Sequence, residues 1–351
     1  MTASPTLTRR KATPKAARTP KPKKQPAGRL KKQPIAFITG IAGFAGSFLA
    51  EELIAHGWAV CGSVYQNEPL DNLVSVRKQL TLLPLDILNP RRCNEVIAKV
   101  EPDYVFHLAA MASVGKSFGN ERFTYQVNLD GTLNMLEAAG RHKGLIKFLF
   151  VSSGDSFGRF TPKNKTLTED QPLNPISPYG IAKAAAEQTV RYYHRQYGLP
   201  AVVARPFNHA GPRQADSFVI PAFAKQIALI EAGKQAPELK VGDLSARRDF
   251  SDVRDIARGY RLLAEKGKLG ETYHLCSGKA VPIKRVLKIM VDMANKPIKV
   301  VTDPARLRKN DIPLLRGSFE KARKQVGFDV RYSLKETLAE TLAYWRARVI
   351  S

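Results

Sequence analysis

From Pro34 onward, short apolar runs alternate with longer stretches of helical pattern. The runs at 35–39, 58–64, 80–84, 103–108, 146–152 and 200–205 predict strands, and the stretches 44–56, 89–99, 121–140, 177–197 and 218–232 predict helices. Strand–helix alternation at this spacing predicts parallel βαβ units, and hence an α/β fold with a doubly wound sheet covered on both faces. After about residue 210 the alternation weakens. Short strands near 238–241, 272–275 and 298–301 mix with helices near 252–266, 282–293 and 333–347. The expected organisation is a Rossmann-type domain over 35–210 and a smaller mixed α/β lobe over 211–351, with segments that cross back to the first domain.

The 351 residues suffice for a sizeable core. No apolar run is long enough to span a membrane, and the basic N-terminus lacks the apolar segment of a secretory signal. Cys61, Cys93 and Cys276 are scattered, without metal-ligand spacing, which suits a reducing compartment such as the cytoplasm and argues against zinc or a disulfide framework. Residues 1–34 hold eleven Lys or Arg and no acid, leaving +14 of the net +25 for the rest of the chain. This Pro-rich tail has almost no large apolar residues and cannot build a core. It reads as a disordered, solvated extension; the alternative is a segment that binds nucleic acid or an anionic membrane surface.

Gly40-Ile-Ala-Gly43-Phe-Ala-Gly46 joins a predicted strand to a predicted helix. Glycines at this spacing permit a tight turn, let a backbone approach a pyrophosphate, and allow close helix–strand packing; the helix start then attracts the anion. This is dinucleotide-binding chemistry. The second strand ends in Ser63-Val64-Tyr65-Gln66, neither the acid that favours NAD nor the Arg that favours NADP, so NAD(P)(H) stays unresolved between the two forms. Asp86 has two readings, acceptor for the adenine amino group or cap of the following helix.

Ser153 follows a buried strand, and Tyr179 and Lys183 lie four apart on one helix face. A phenol of pKa ~10 exchanges protons poorly at neutral pH. A neighbouring ammonium and a nicotinamide cation are expected to lower that value, while Ser153 binds the substrate oxygen. Lys183 can also hold the cofactor ribose.

Together with His107-Leu108-Ala109-Ala110 and Val151-Ser-Ser-Gly-Asp155, these segments resemble the extended short-chain dehydrogenase/reductase superfamily over residues 35–348. The resemblance implies a cofactor lying along Gly40, Ala42, Gly43, Phe44, Gly46, Asp86, Leu108, Ala109, Ala110, Tyr179 and Lys183. It also implies a nucleotide-sugar held by the C-terminal lobe, and often a homodimer. Asn208 in Arg205-Pro-Phe-Asn-His-Ala-Gly-Pro, Lys225, Arg248 in Arg247-Arg-Asp-Phe, and Arg308 are the implied substrate contacts. The guanidinium of Arg248 suits a diphosphate.

Within the superfamily, Arg205 to Pro313 resembles reductases of GDP-4-keto-6-deoxy-D-mannose. Reduction at C4 by NAD(P)H, with Tyr179 as proton donor, is the activity this implies. A GDP-mannose 4,6-dehydratase is the first alternative: in that branch a Glu follows the active-site Thr by two, and here Asp155, one carbon shorter, follows Ser153 by two. A nucleotide-sugar 4-epimerase is the second. A non-enzymatic sensor or RNA-binding protein on the same fold is the third, against which an intact Ser153, Tyr179 and Lys183 speak.

Overall fold

Successive residues of the first strand, β1 (Ile35–Thr39), point into two different cores. Ala36 and Ile38 enter one and Phe37 the other, all fully buried. That is why the strand is apolar at consecutive positions: its sheet is covered on both faces. The computed structural model describes residues 33–159, 166–307 and 312–350. The tail as far as residue 32, and Arg308, lie outside the described residues.

β1 is flanked by β2 (Ala59–Val64) and then β3 (Leu80–Pro84) on one side. On the other follow β4 (Tyr104–His107), β5 (Lys147–Val151) and β6 (Ala201–Pro206). Every pairing is parallel, in the order 3-2-1-4-5-6 of a Rossmann sheet. Helix α1 (Phe44–Ala55) covers one face. On the other lie α2 (Pro90–Val100), the short α3 (Val114–Ser117) and α4 (Glu121–Tyr125), then α5 (Gly131–Arg141) and α6 (Pro178–Tyr197). The single helix expected over 121–140 is broken by a π turn at Gln126–Asp130. Strand order reverses between β1 and β4, which opens a crevice at their carboxyl ends, where Thr39 pairs with His107.

Beyond β6 the chain forms β7 (Asn208–Ala210), α7 (Val219–Glu231), β8 (Glu238–Val241) and β9 (Arg247–Asp252). Helix α8 (Val253–Lys266) then returns to pack against α1, and β10 (Thr272–Leu275) adds to the large sheet beside β6 as its seventh strand. A boundary at residue 210 thus separates α8 and β10 from the sheet they complete. The remaining elements are β11 (Ala280–Pro282), α9 (Ile283–Val291), β12 (Lys299–Thr302), β13 (Leu314–Leu315), α10 (Glu320–Val326) and α11 (Leu334–Ile350). β9 pairs with β7, β11 and β13 in a mixed sheet, and β8 pairs with β12. Helices α7, α9 and α11 share a third core built on Phe223, Ile227, Val286, Leu287 and Leu342. The smaller lobe therefore stands over the carboxyl ends of the large sheet, and a cleft of about 1200 Å³ lies between them.

Candidate active site

The turn after β1 is built by its glycines. Gly40 has φ +69°, and a Cβ there would sit 3.1 Å from the backbone of Ala109. A Cβ on Gly46 would lie 2.3 Å from the Gly40 carbonyl oxygen, so only glycine lets α1 start this close to the turn. Gly43 caps α1 with no side-chain hydrogen bond, and the first turn holds no acid. Its N–H groups face the cleft and fit an anionic pyrophosphate.

The next wall is fixed from below. Thr39 Oγ1 accepts from the N–H groups of Leu108 (3.1 Å) and Ala109 (3.0 Å), so its own proton goes to His107 Nδ1 at 2.9 Å. Thr132 donates to Asn128 O (2.8 Å), which leaves Nε2–H of His107 to donate to Thr132 at 3.1 Å. Burial, with Lys183 nearby, drops the His107 pKa to about 3 and keeps the ring neutral. Asn128, on the π turn, clasps both backbone groups of Met111 (2.8 and 3.2 Å). These bonds shape Leu108–Ala110 beside the glycine turn.

Ser177 caps α6 by accepting the Gly180 N–H (3.1 Å), with Pro178 in the first helical position. This start places Tyr179 and Lys183 under the cleft, buried to 8% and 3% exposure. Lys183 donates to the Val151 carbonyl at 2.8 Å, tying α6 to the end of β5. Ser153 lies just past β5. Its hydroxyl accepts the Asp155 N–H (3.1 Å), donates to the Asp155 carboxylate (3.3 Å), and reaches the Tyr179 hydroxyl. The expected lowering of the Tyr179 pKa relies on a nicotinamide cation beside the phenol; in the chain alone the balance is different. Burial and then the Asp155 charge push the Tyr179 pKa above its ordinary value, and burial pushes Lys183 down to about 7. In so buried a pair each group disfavours its own charged form, so the chain alone keeps the phenol protonated.

All eleven residues expected along the cofactor line the cleft, as do Ser153, Asp155, Asn208 and Arg248. Asp86 is not the cap of α2. Asn89 does that work, accepting the Arg92 N–H at 3.0 Å, while Asp86 accepts from Leu88 N (2.9 Å) at the cleft wall. Among the described residues, Asn208 Oδ1 is buried without a hydrogen-bond partner, and Asn208 lines the cleft. Arg248 donates to the carbonyls of Arg247 (3.0 Å) and Ile312 (2.5 Å). Lys225 does not reach the main cleft. The cleft-facing side of α7 continues at that point into a side depression, where the ammonium pairs with Asp216 (2.6 Å) over the Trp345 ring. Arg306 lines both spaces.

Sequence reasoning missed three features. His209 stacks on Phe44 of the glycine turn (centroids 5.7 Å apart, 12° between planes). Arg213, at φ +73°, binds Glu51 (2.8 Å) on α1. Glu187 continues the face of Tyr179 and Lys183 one turn further, a four-residue repeat that was open to view in the sequence, and holds Arg205.

Comparison with known proteins identifies the family. The chain is 34% identical to the GDP-6-deoxy-D-mannose reductase of Pseudomonas aeruginosa PAO1 over 319 residues, covering 89% of this chain and 97% of the relative. A GDP-mannose 4,6-dehydratase of Sinorhizobium fredii is 28% identical over 349 residues, covering 89% and 97%. The solved structure of RMD from Pseudomonas aeruginosa complexed with NADPH superposes with a TM-score of 0.77 at 33% identity, covering 90% of this chain and all of that one. The UDP-glucose 4-epimerase of Thermotoga maritima with UDP-glucose gives 0.81 at 29% identity, covering 90% and 99%. The family model for GDP-mannose 4,6 dehydratase matches residues 37–341, and the chain belongs to that family of NAD(P)-dependent short-chain dehydrogenase/reductase enzymes.

Proposed function

We propose that the protein reduces the C4 ketone of a GDP-4-keto-6-deoxyhexose to give a GDP-D-rhamnose-type product. The observation that carries this reading is a buried Tyr179, held protonated and in contact with Ser153, in the same cleft as the glycine turn. NAD(P)H supplies the hydride when bound. Gly40–Gly46 and the start of α1 would hold its pyrophosphate, and Lys183 would bind its ribose. Ser153 donates a hydrogen bond to the ketone oxygen, turning from Asp155 to do so. Tyr179 gives its proton to the oxygen as negative charge develops there. Asn208 accepts from a sugar hydroxyl, and Arg248 and Arg306 meet the diphosphate side of the substrate.

A 4,6-dehydratase is the second reading. It is supported by Asp155, a carboxylate on the cleft wall 3.3 Å from Ser153 that could serve as an elimination base. The two separate in one experiment. Purified protein is mixed with GDP-4-keto-6-deoxymannose plus NAD(P)H, and separately with GDP-mannose plus NAD(P). Loss of reduced-cofactor absorbance with the first supports the reductase; a 6-deoxy product from the second without net cofactor change replaces it with the dehydratase. The proposed protein is cytoplasmic, and among the described residues no helix is long and apolar enough to cross a membrane. It is also a homodimer, joined through exposed apolar residues of the packed α4 and α6, including Phe123 and Ile181. Light scattering of the purified chain reads the dimer directly.

A further inference from the structure

The second strand ends without an acid in sequence, but the fold delivers one. After Val64 the chain turns tightly, with Gln66 in the left-handed region at φ +39°. The Glu68 N–H donates to Tyr65 O at 2.8 Å, and the Glu68 carboxylate accepts the Tyr65 N–H through Oε2 at 3.2 Å. These two bonds fold Glu68 back onto the carboxyl end of β2. Tyr65, Glu68 and Asn72 line the cleft there. The same segment is tied to the phosphate loop: Ser63 Oγ accepts the Gly40 N–H (3.1 Å), and Asn72 donates to Ala42 O (2.9 Å).

A dinucleotide with its pyrophosphate on the glycine turn brings its adenosine ribose to this strand end. A carboxylate accepts hydrogen bonds from ribose hydroxyls and repels a phosphate ester at the 2′ position. Among the described residues lining the cleft, the cations stand elsewhere or are engaged. Lys183 is at the catalytic end, and Lys240, Arg248 and Arg306 belong to the sugar lobe. Arg213, reaching toward α1, is paired with Glu51.

We infer that Glu68, set by the Tyr65–Glu68 turn, makes the enzyme select NADH over NADPH. The inference rests on the dinucleotide lying along Gly40–Gly46. It goes against what the Pseudomonas aeruginosa structure holds, since that relative is complexed with NADPH.

The test is binding, not turnover. The full chain is titrated with NADH and with NADPH by isothermal calorimetry, as wild type, Glu68→Gln and Glu68→Arg. Wild type should bind NADH about tenfold or more tightly than NADPH, as expected for one like-charge contact. Glu68→Gln keeps an acceptor for the Tyr65 N–H while removing the charge, and should bring the ratio to within about threefold; Glu68→Arg should invert it. NADPH binding as tight as NADH in wild type overturns the inference, and so does a ratio unchanged in Glu68→Gln. Binding of neither cofactor would overturn the dinucleotide site itself, and this inference with it.

Discussion

Replacing Glu187 tests whether the proton-relay residues are held in place by a buried ion pair. Its carboxylate is fully buried and accepts from Arg205 Nε (3.1 Å) and Nη2 (2.5 Å), Ser152 Oγ (2.8 Å) and Arg191 Nη2 (3.1 Å). Burial works against its ionised form, yet the Arg205 charge and these hydrogen bonds hold the carboxyl below its ordinary range. Arg205 is itself 1% exposed, lies over the Phe157 ring and reaches His274 Nε2 at 3.1 Å. Breaking one side of such a pair costs about 3–5 kcal/mol, because the remaining charge stays buried. Glu187→Gln keeps the volume and one acceptor but turns an N–H group toward the guanidinium, so the lower end applies, about 3 kcal/mol. Glu187→Leu should reach about 5 kcal/mol. Glu187→Leu with Arg205→Met removes both charges and should recover most of that loss, to within about 2 kcal/mol of wild type. Urea midpoints followed by tryptophan fluorescence give these differences. Turnover of Glu187→Gln should fall with little change in cofactor affinity, because Ser152 adjoins Ser153 and Glu187 continues the face of α6 that carries Tyr179 and Lys183. A double variant as unstable as the sum of its singles would refute the reasoning, as would a loss under about 1 kcal/mol in Glu187→Gln.

Other outcomes follow from the same site. Tyr179→Phe should lower turnover by about 10²–10⁴-fold while leaving NAD(P)H affinity intact, read by steady-state kinetics and calorimetry; near-wild-type turnover would remove Tyr179 as the acid. Arg248→Ala should raise the KM for the GDP-sugar by about 10–100-fold, the loss of one charge-assisted contact, with a smaller change in kcat. Lys183, depressed by burial to about 7, is partly neutral in the free protein at and above that pH. An anionic cofactor whose ribose accepts from the ammonium raises that value again. Binding should therefore take up protons above about pH 7 and weaken as pH rises, while below pH 6 the lysine is already charged and uptake vanishes. Calorimetry in buffers of different ionisation enthalpy would show no buffer dependence at pH 8 if this is wrong.

What the sequence disclosed was local. Four consecutive apolar residues in β1, three glycines at set spacing, and a Tyr and Lys four apart each carry their structural meaning within one turn or strand. Features that depended on distant partners were hidden. Thr39 and His107 are joined across 68 residues and fixed by Thr132, and nothing in either segment announces the bond. The two readings of Asp86 could not be separated in the sequence, because the cap of α2, Asn89, lies only three residues on and is of the same capping type. Lys225 was assigned to the substrate from its segment, but it lines the side depression and pairs there with Asp216, a residue shared with the main cleft. Glu68 escaped notice because the acid was sought on the strand, whereas a left-handed Gln66 folds it back from three residues beyond Tyr65. Crossing segments were expected, but which of them returns to the large sheet depends on how α8 packs on α1, which no local pattern encodes.

The raised pKa of Tyr179 in the chain alone bears on the state from which each chemistry starts. A dehydratase or an epimerase begins by oxidising C4, so its phenol must start as a base. A reductase begins with the ketone, so its phenol must start as an acid. Burial and the Asp155 carboxylate set the starting state in this chain, and both favour the protonated form. A reduced nicotinamide is neutral and leaves that balance in place, so Tyr179 enters a reduction already carrying the proton it must give. Oxidation would require the same phenol to ionise beside Asp155, against a like charge that the oxidised nicotinamide's positive charge must offset. Asp155 thus acts in two opposed ways: as a carboxylate near the sugar it offers a base for elimination, and as a neighbour of Tyr179 it opposes the oxidation that must come before elimination. Asp155→Asn separates the two. If the second effect dominates, the variant keeps ketone reduction near the wild-type rate and lowers the pKa seen in the pH profile of the oxidative direction. Abolition of a 6-deoxy product from GDP-mannose by the same change would instead assign Asp155 to elimination.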